Sequence, residues 1–136
     1  MAALSADRNT PSRPTTTREP PVKAGAVLFA GSMGAIDANG LAVPASAVST
    51  LKVIGRVEAR ADNLAGANGD IRAKIGTGTF RFDNSSSADL ISLKDVGSPC
   101  YVVDDHTVAL TSNAAARPVA GTIFDVDPVG VWVRFT

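Results

Sequence analysis

Apolar and polar residues alternate along several stretches after residue 22, with the period of two that is typical of a half-buried β-strand. The clearest case is the last stretch, where Val131, Val133 and Phe135 share one face while Trp132 and Arg134 share the other. Val and Ile together outnumber Leu, and the chain contains 12 Gly and 8 Pro. This balance favours short strands joined by tight turns.

The same alternation predicts further strands over residues 51–61, 71–75 and 80–82. In the first of these, Val53 and Val57 are expected on one buried face. Gly residues on either side of Thr77 interrupt the pattern between the second and third stretches. We interpret them as a bulge or a bend in the strand, because no Lys-Ser/Thr pair follows to form a phosphate-binding loop.

Turn signals divide the chain into hairpins. Asn39-Gly40 between apolar runs is a strong hairpin signal, and residues 101–110 and 121–135 form two further candidate pairs, the last turning at Asp127-Pro128. Residues 87–95 are the one stretch with helical spacing. The predicted fold class is all-β: a small β-barrel or sandwich of short antiparallel strands with one short helix.

Residues 1–21 differ from the rest of the chain. They contain four prolines, three consecutive threonines and the arginines Arg8, Arg13 and Arg18, but almost no large apolar residue. Such a segment cannot compensate its ordering entropy by burial. We therefore predict an extended, flexible N-terminal arm over 1–21 and a β-rich domain over 22–136. The arm is either a frayed terminus or a segment that orders on a neighbouring molecule.

Composition excludes several classes of function. The 136 residues carry 13 basic and 13 acidic side chains, a balance that argues against a nucleic-acid partner. The lack of an 18-residue apolar run argues against a membrane partner, and the first residues lack the apolar core of a secretory signal. One Cys and one His leave little material for a metal cluster or for acid–base chemistry. We therefore expect no metal site and no acid–base catalysis.

Asp104, Asp105 and His106 are the nearest approach to a catalytic or metal-binding group. Neighbouring side chains on a strand point in opposite directions, so we interpret these residues as a polar turn. No Gly-x-Ser-x-Gly motif supports a Ser-His-Asp triad. Cys100 is expected to be a small buried residue rather than a nucleophile.

Two weaker signals have simple interpretations. Asp125 and Asp127 would share a strand face, and we expect that face to be solvated. Asn84-Ser85-Ser86 matches the N-glycosylation triplet, without a secretion signal to support its use.

The strongest candidates for binding a partner are Trp132 with Arg134, and Arg8, Arg13 and Arg18 of the arm. Trp and Arg are enriched at interface hot spots, and the planar guanidinium suits carboxylates on a partner. For Trp132 two orientations remain open, since it either faces outward or enters the core while the valines cover an outer layer.

Several stretches, in this order, resemble the small capsid decoration (cement) proteins of bacteriophages. They are VKAGAV at 22–27, AIDANG at 35–40, IGRVE at 54–58 with DN at 62–63, GTFRF at 78–82, VGSPCYVVDD at 96–105, AGTI at 120–123 and GVWVRF at 130–135. Each is a strand with its turn, and the resemblance lies in their order and in how much of the chain they cover.

The resemblance implies a virion protein, made in the host cytoplasm, that binds the outer surface of the assembled head without catalysis or cofactor. Its partners would be the major capsid protein and copies of itself, a trimer first and a dimer second. Two alternatives stay open: another virion component, from the head-completion or tail apparatus, and a small β-barrel enzyme or ligand-binding protein that uses His106.

Overall fold

The computed structural model describes residues 2–136, and Met1 of the predicted arm lies outside the described residues. The described chain forms short strands and two single 3-10 turns. The strands are β1 Thr17–Arg18, β2 Val27–Leu28, β3 Met33–Ile36, β4 Ala42–Pro44, β5 Lys52–Val57, β6 Ala61–Asp62, β7 Ile75–Gly76, β8 Gly78–Phe82, β9 Pro99–Val102, β10 Val108–Ala109, β11 Val119–Asp127 and β12 Gly130–Phe135.

The strands form three antiparallel sheets, which confirms the all-β prediction and identifies a sandwich rather than a closed barrel. Sheet 1 has the order β1-β7-β5-β3-β4, sheet 2 the order β10-β9-β11-β12-β8, and sheet 3 consists of β2 and β6. A single parallel bridge between Asp83 and Thr107 links the two edges of sheet 2 without extending into a ladder.

Sheet 1 lies between the other two sheets and buries apolar residues on both faces. Met33, Ala35 and Val43 join a cluster with the inner residues of sheet 2. On the other face a smaller cluster joins residues of sheet 1 to Leu28 and Ala61 of sheet 3. Gly34 faces this smaller cluster, where an added Cβ would lie 2.6 Å from Ile75 Cδ1, so any larger residue would require the Ile75 side chain to shift.

The predicted hairpins are confirmed. β3 pairs with β4 across the Asn39-Gly40 turn, β9 pairs with β10, and β11 pairs with β12 across Asp127-Pro128. The predicted bend is also present, since β7 ends at Gly76 in sheet 1 and β8 begins at Gly78 in sheet 2.

The helix predicted over residues 87–95 is wrong. This stretch contains two separate 3-10 turns, Ser87–Asp89 and Leu93–Asp95. Between them the Asn84 amide accepts from the backbone N–H of Ile91 at 3.0 Å and donates to its carbonyl at 2.8 Å. These bonds hold Ile91 in the core and occupy the backbone groups that a helix would need.

The single strand predicted over residues 51–61 is shorter, and its two valines do not share a face. Strand β5 ends at Val57, and residues 61–62 belong to sheet 3. The pairing of β5 with β3 shifts register between Gly34 and Ala35, which makes Ile54 an extra residue. Val53 therefore packs against the larger cluster and Val57 in the smaller one.

The segment predicted as an arm has two parts in the structure. Residues 2–16 form no helix or strand and are exposed. Strand β1 pairs with β7, with Thr17 opposite Gly76, and Pro21 bridges to Arg72. The last residues before Val22 thus belong to the edge of sheet 1.

Candidate partner-binding surface

The outer face of sheet 2 collects side chains from three neighbouring strands. On β12 the residues Val131 and Val133 are fully buried, so Trp132 and Arg134 point outward. Trp132 lies opposite Arg81 of β8 on one side and opposite Asp125 of β11 on the other. Of the two orientations open for Trp132, the structure has the outward one.

A hydrogen-bond network holds the Trp132 ring in place. Its Nε1–H donates to Asp127 Oδ2 at 2.8 Å, while Asp127 Oδ1 accepts from the backbone N–H groups of Val129 and Gly130. The indole bond is the main cause that lowers the pKa of Asp127. The Arg81 guanidinium carbon lies 5.9 Å from the ring centroid. A half-buried, immobilised ring loses little entropy on binding.

Phe124 belongs to the same outward side and was missed by the sequence reasoning. Strict alternation along β11 would place Phe124 and Asp125 on opposite faces of the sheet. The pairing of β11 with β12 shifts register between Ile123 and Asp125, so Phe124 and Asp125 are both exposed. Phe124 is 59% exposed. No sequence signal marks this bulge. We define the outer face as Arg81, Phe124, Trp132 and Arg134.

The arginines of the N-terminal segment are not part of the outer face. Arg8 and Arg13 are exposed in the irregular residues 2–16, and Arg18 lies in β1 at the edge of sheet 1. The Arg18 guanidinium reaches the carbonyl of Ile54 at 3.5 Å. The predicted binding residues therefore form two separate regions, one on sheet 2 and one beside sheet 1.

Asp104, Asp105 and His106 form the connection between β9 and β10, as predicted for a polar turn. His106 Nδ1 lies 2.9 Å from Asp105 Oδ1 and 3.0 Å from Asp104 Oδ1. The bond to Asp105 raises the pKa of His106 above its ordinary value. Each of the three side chains offers one atom that could ligate a metal ion, and these atoms lie within 4.8 Å of one another. Within residues 2–136, the hydrogen bond of the His106 ring is to a carboxylate and not to a serine hydroxyl.

Cys100 is fully buried in the larger cluster, as predicted. Burial raises the pKa of its thiol to about 11, so the thiolate is scarce at neutral pH. The Asn84 amide of the glycosylation triplet is occupied by the backbone of Ile91. Asp125 and Asp127 differ in environment, since Asp125 is exposed while Asp127 is bonded to Trp132.

No helix within residues 2–136 has both the length and the apolar character needed to cross a membrane. No protein-family model, curated protein or solved structure matches the chain.

Proposed function

We propose that this protein decorates the capsid of a bacteriophage, where it binds the outer surface of the assembled head and stabilises it against internal DNA pressure. Its partners in this proposal are the major capsid protein and further copies of itself. The ordered series of stretches that resemble decoration proteins motivates the proposal. The protein acts by binding and transforms no substrate.

The observation that carries the proposal is an exposed irregular segment joined to a compact β-sandwich. Hydrogen bonds between the segment and the domain begin at Thr15 and Thr16, which accept from Thr77. Residues 2–14 extend beyond these bonds and, fully stretched, reach about 40 Å at roughly 3.3 Å per residue. This reach is enough to contact a second subunit on a lattice while the sandwich contacts the first.

Two linked contacts suit a protein that must recognise the assembled shell and ignore free subunits. Linkage turns the second contact into an intramolecular event, so two weak contacts together bind tightly only where both sites are present. Ordering the segment costs free energy but allows it to cover a large area. A formal net charge of zero limits repulsion between densely placed copies.

The direct test is binding to expanded heads of the cognate phage that lack decoration protein. Purified chain is expected to co-sediment with these heads and to raise their melting temperature, but not to bind unassembled major capsid protein. Cryo-EM of the particles locates the copies: density repeated over the whole head is expected, whereas density at a single vertex would favour a head-completion or tail component. Absence of binding to expanded heads contradicts the proposal.

Two variants separate the contributions of the segment and of the sandwich. A chain that starts at residue 15 keeps the bonds to Thr77 and is expected to fold but to bind heads at least tenfold more weakly. Trp132→Ala removes the central ring of the outer face, and a similar loss is expected from the usual energy of Trp at an interface. His106→Ala is the matched control, with unchanged head binding expected.

A further inference from the structure

An open groove of about 750 Å³ lies where strand β5 of sheet 1 approaches the start of β11 in sheet 2. Its apolar lining includes Leu51, Val53, Tyr101 and Val119. Val119 is 51% exposed although it belongs to a strand of the central sandwich. The groove thus presents apolar surface to solvent at the junction of the two large sheets.

The charged residues of this groove are all cationic. Lys52, Arg117 and Arg134 line it, and the lining contains no Asp or Glu, although the whole chain has equal numbers of acidic and basic residues. Arg117 pairs with Asp89 at 3.1 Å, while Lys52 and Arg134 form no ion pair within residues 2–136.

The backbone around the groove is irregular in a way that leaves room for an extended chain. Strand β11 pairs with β12 only from Thr122 onward, so residues 119–121 pair with β9 alone. The pairing with β9 shifts register between Val119 and Gly121. Bulges of this kind interrupt a ladder and are common beside binding sites.

A left-handed turn forms one rim of the groove. Asn113, Ala114 and Ala115 have φ values of 50°, 54° and 65°, in a region that residues other than Gly rarely adopt in succession. Backbone bonds from Ala116 to Asn113 and from Arg117 to Ser112 close this turn. The turn fixes Arg117 at the rim, where its ion pair with Asp89 holds the guanidinium in place.

From the apolar lining, the one-sided charge and the irregular backbone, we infer that this groove binds an extended acidic segment of a partner polypeptide. Apolar side chains of the segment contact Tyr101 and Val119, and its carboxylates pair with Lys52 and Arg134. The groove is large and open to solvent, which suits a polypeptide better than a small free anion. Only the source of the segment, a capsid subunit, rests on the proposed function.

The protein's own N-terminal segment is a poorer occupant on charge grounds. Residues 2–16 carry Arg8 and Arg13 against a single acidic residue, Asp7. A segment with net positive charge is repelled by Lys52 and Arg134, the two cations of the lining that have no acidic partner in the described structure. Binding of this segment from a second copy is therefore an alternative that the experiment must exclude.

The experiment titrates the ¹⁵N-labelled full-length chain with an acetylated and amidated heptapeptide of sequence Thr-Val-Asp-Val-Glu-Val-Thr. Saturable shifts are expected for backbone amides of residues 51–53 and 119–121. The neutral peptide with Asn and Gln in place of Asp and Glu should bind at least threefold more weakly. No saturable shift at these amides, or equal affinity for both peptides, overturns the inference. The inference is also overturned if a synthetic peptide of residues 2–16 binds in the groove more tightly than the acidic peptide.

Charge substitutions localise the effect. The double variant Lys52→Gln with Arg134→Gln is expected to weaken the acidic peptide at least fivefold, with an unchanged melting temperature because both side chains are exposed. Lys74→Gln with Lys94→Gln makes the same change of net charge outside the groove and should leave the affinity unchanged. Equal losses in the two double variants would show non-specific attraction and overturn the inference. The neutral peptide keeps the test decisive if a variant fails to fold.

The two proposals fail separately. If the chain binds the acidic peptide in the groove but does not bind expanded heads, the proposed function is wrong and the groove inference stands. If the chain binds heads while the acidic peptide produces no saturable shift, the groove inference is wrong and the proposed function stands.

Discussion

Asn63 connects the N-terminal part of the domain to the loop that follows β6, and its replacement by Ala should destabilise the fold. The side chain is only 3% exposed. Its amide nitrogen lies within hydrogen-bond distance of three backbone carbonyls: those of Val22 at 3.2 Å, Lys23 at 3.1 Å and Ala67 at 2.9 Å. Two of these carbonyls belong to the first residues after the segment proposed to contact the capsid.

The size of the effect depends on the hydrogen bonds that each carbonyl retains in Asn63→Ala. Val22 O still accepts from Gly69 N–H, Lys23 O from Ala26 N–H and Ala67 O from Asp70 N–H. None of the three becomes wholly unsatisfied, so the loss is the net value of the amide bonds rather than a full desolvation penalty. At about 1 kcal/mol per bond, Asn63→Ala should lower the free energy of unfolding by about 2–3 kcal/mol. This is a large fraction of an ordinary domain stability of about 5–15 kcal/mol.

Urea unfolding followed by fluorescence measures this change. The control is Asn9→Ala, since Asn9 is exposed in the irregular residues 2–16 and lies outside every strand and turn described above. Asn63→Asp provides a second test. A carboxylate there would face carbonyl oxygens, its pKa in the folded protein would rise, and the destabilisation would grow as the pH increases above about 4. A loss below about 0.5 kcal/mol for Asn63→Ala would refute this reasoning.

Three further predictions concern titrating side chains. Because burial raises the pKa of the Cys100 thiol to about 11, DTNB should react slowly with native protein at pH 8 and rapidly in urea; rapid native reaction would contradict its burial. The bond to Asp105 raises the pKa of His106. The interaction therefore contributes its full stabilisation below about pH 6.5, and this stabilisation disappears as the pH rises through the higher pKa of the folded protein. NMR titration should show a lower pKa for His106 in Asp105→Asn. The hydrogen bond from Trp132 lowers the pKa of Asp127. Its contribution to the stability of the fold is therefore present above about pH 4 and disappears as the pH falls through the lower pKa of the folded protein. Trp132 fluorescence should follow that transition, and in Asp127→Asn it should be unaffected by acid.

Local pattern predicted much of the sandwich because the relevant forces act between near neighbours. The alternation along residues 131–135 predicted that Val131 and Val133 lie on the opposite face from Trp132, but left open which face is buried. In the structure both valines are buried, so Trp132 lies on the outer face. Asn39-Gly40 and Asp127-Pro128 identified turns because the preferred backbone angles of these residues are intrinsic.

The errors arise from two contacts that the pattern of the sequence does not show, one between residues far apart in sequence and one between a side chain and the backbone seven positions away. Thr17 pairs with Gly76 across nearly 60 positions, which places the end of the predicted arm in a sheet. The Asn84 amide bonds to both backbone groups of Ile91 and prevents a helix that the spacing of Leu90 and Leu93 had suggested. Neither contact leaves a periodic signal in the chain.

Only part of the outer face could be predicted from the sequence, and this affects how the proposed function must be tested. Trp132 and Arg134 were identifiable because they sit on one strand, but Arg81 joins them only through the pairing of β8 with β12, and Phe124 only through a bulge. The outer face therefore depends on correct pairing of the whole of sheet 2. Loss of head binding in Trp132→Ala is informative only if the variant keeps the β8–β12 pairing, which amide exchange of residues 79–82 can verify. If those amides remain protected and head binding persists unchanged, the outer face does not contact the capsid, and the N-terminal segment must supply the binding instead.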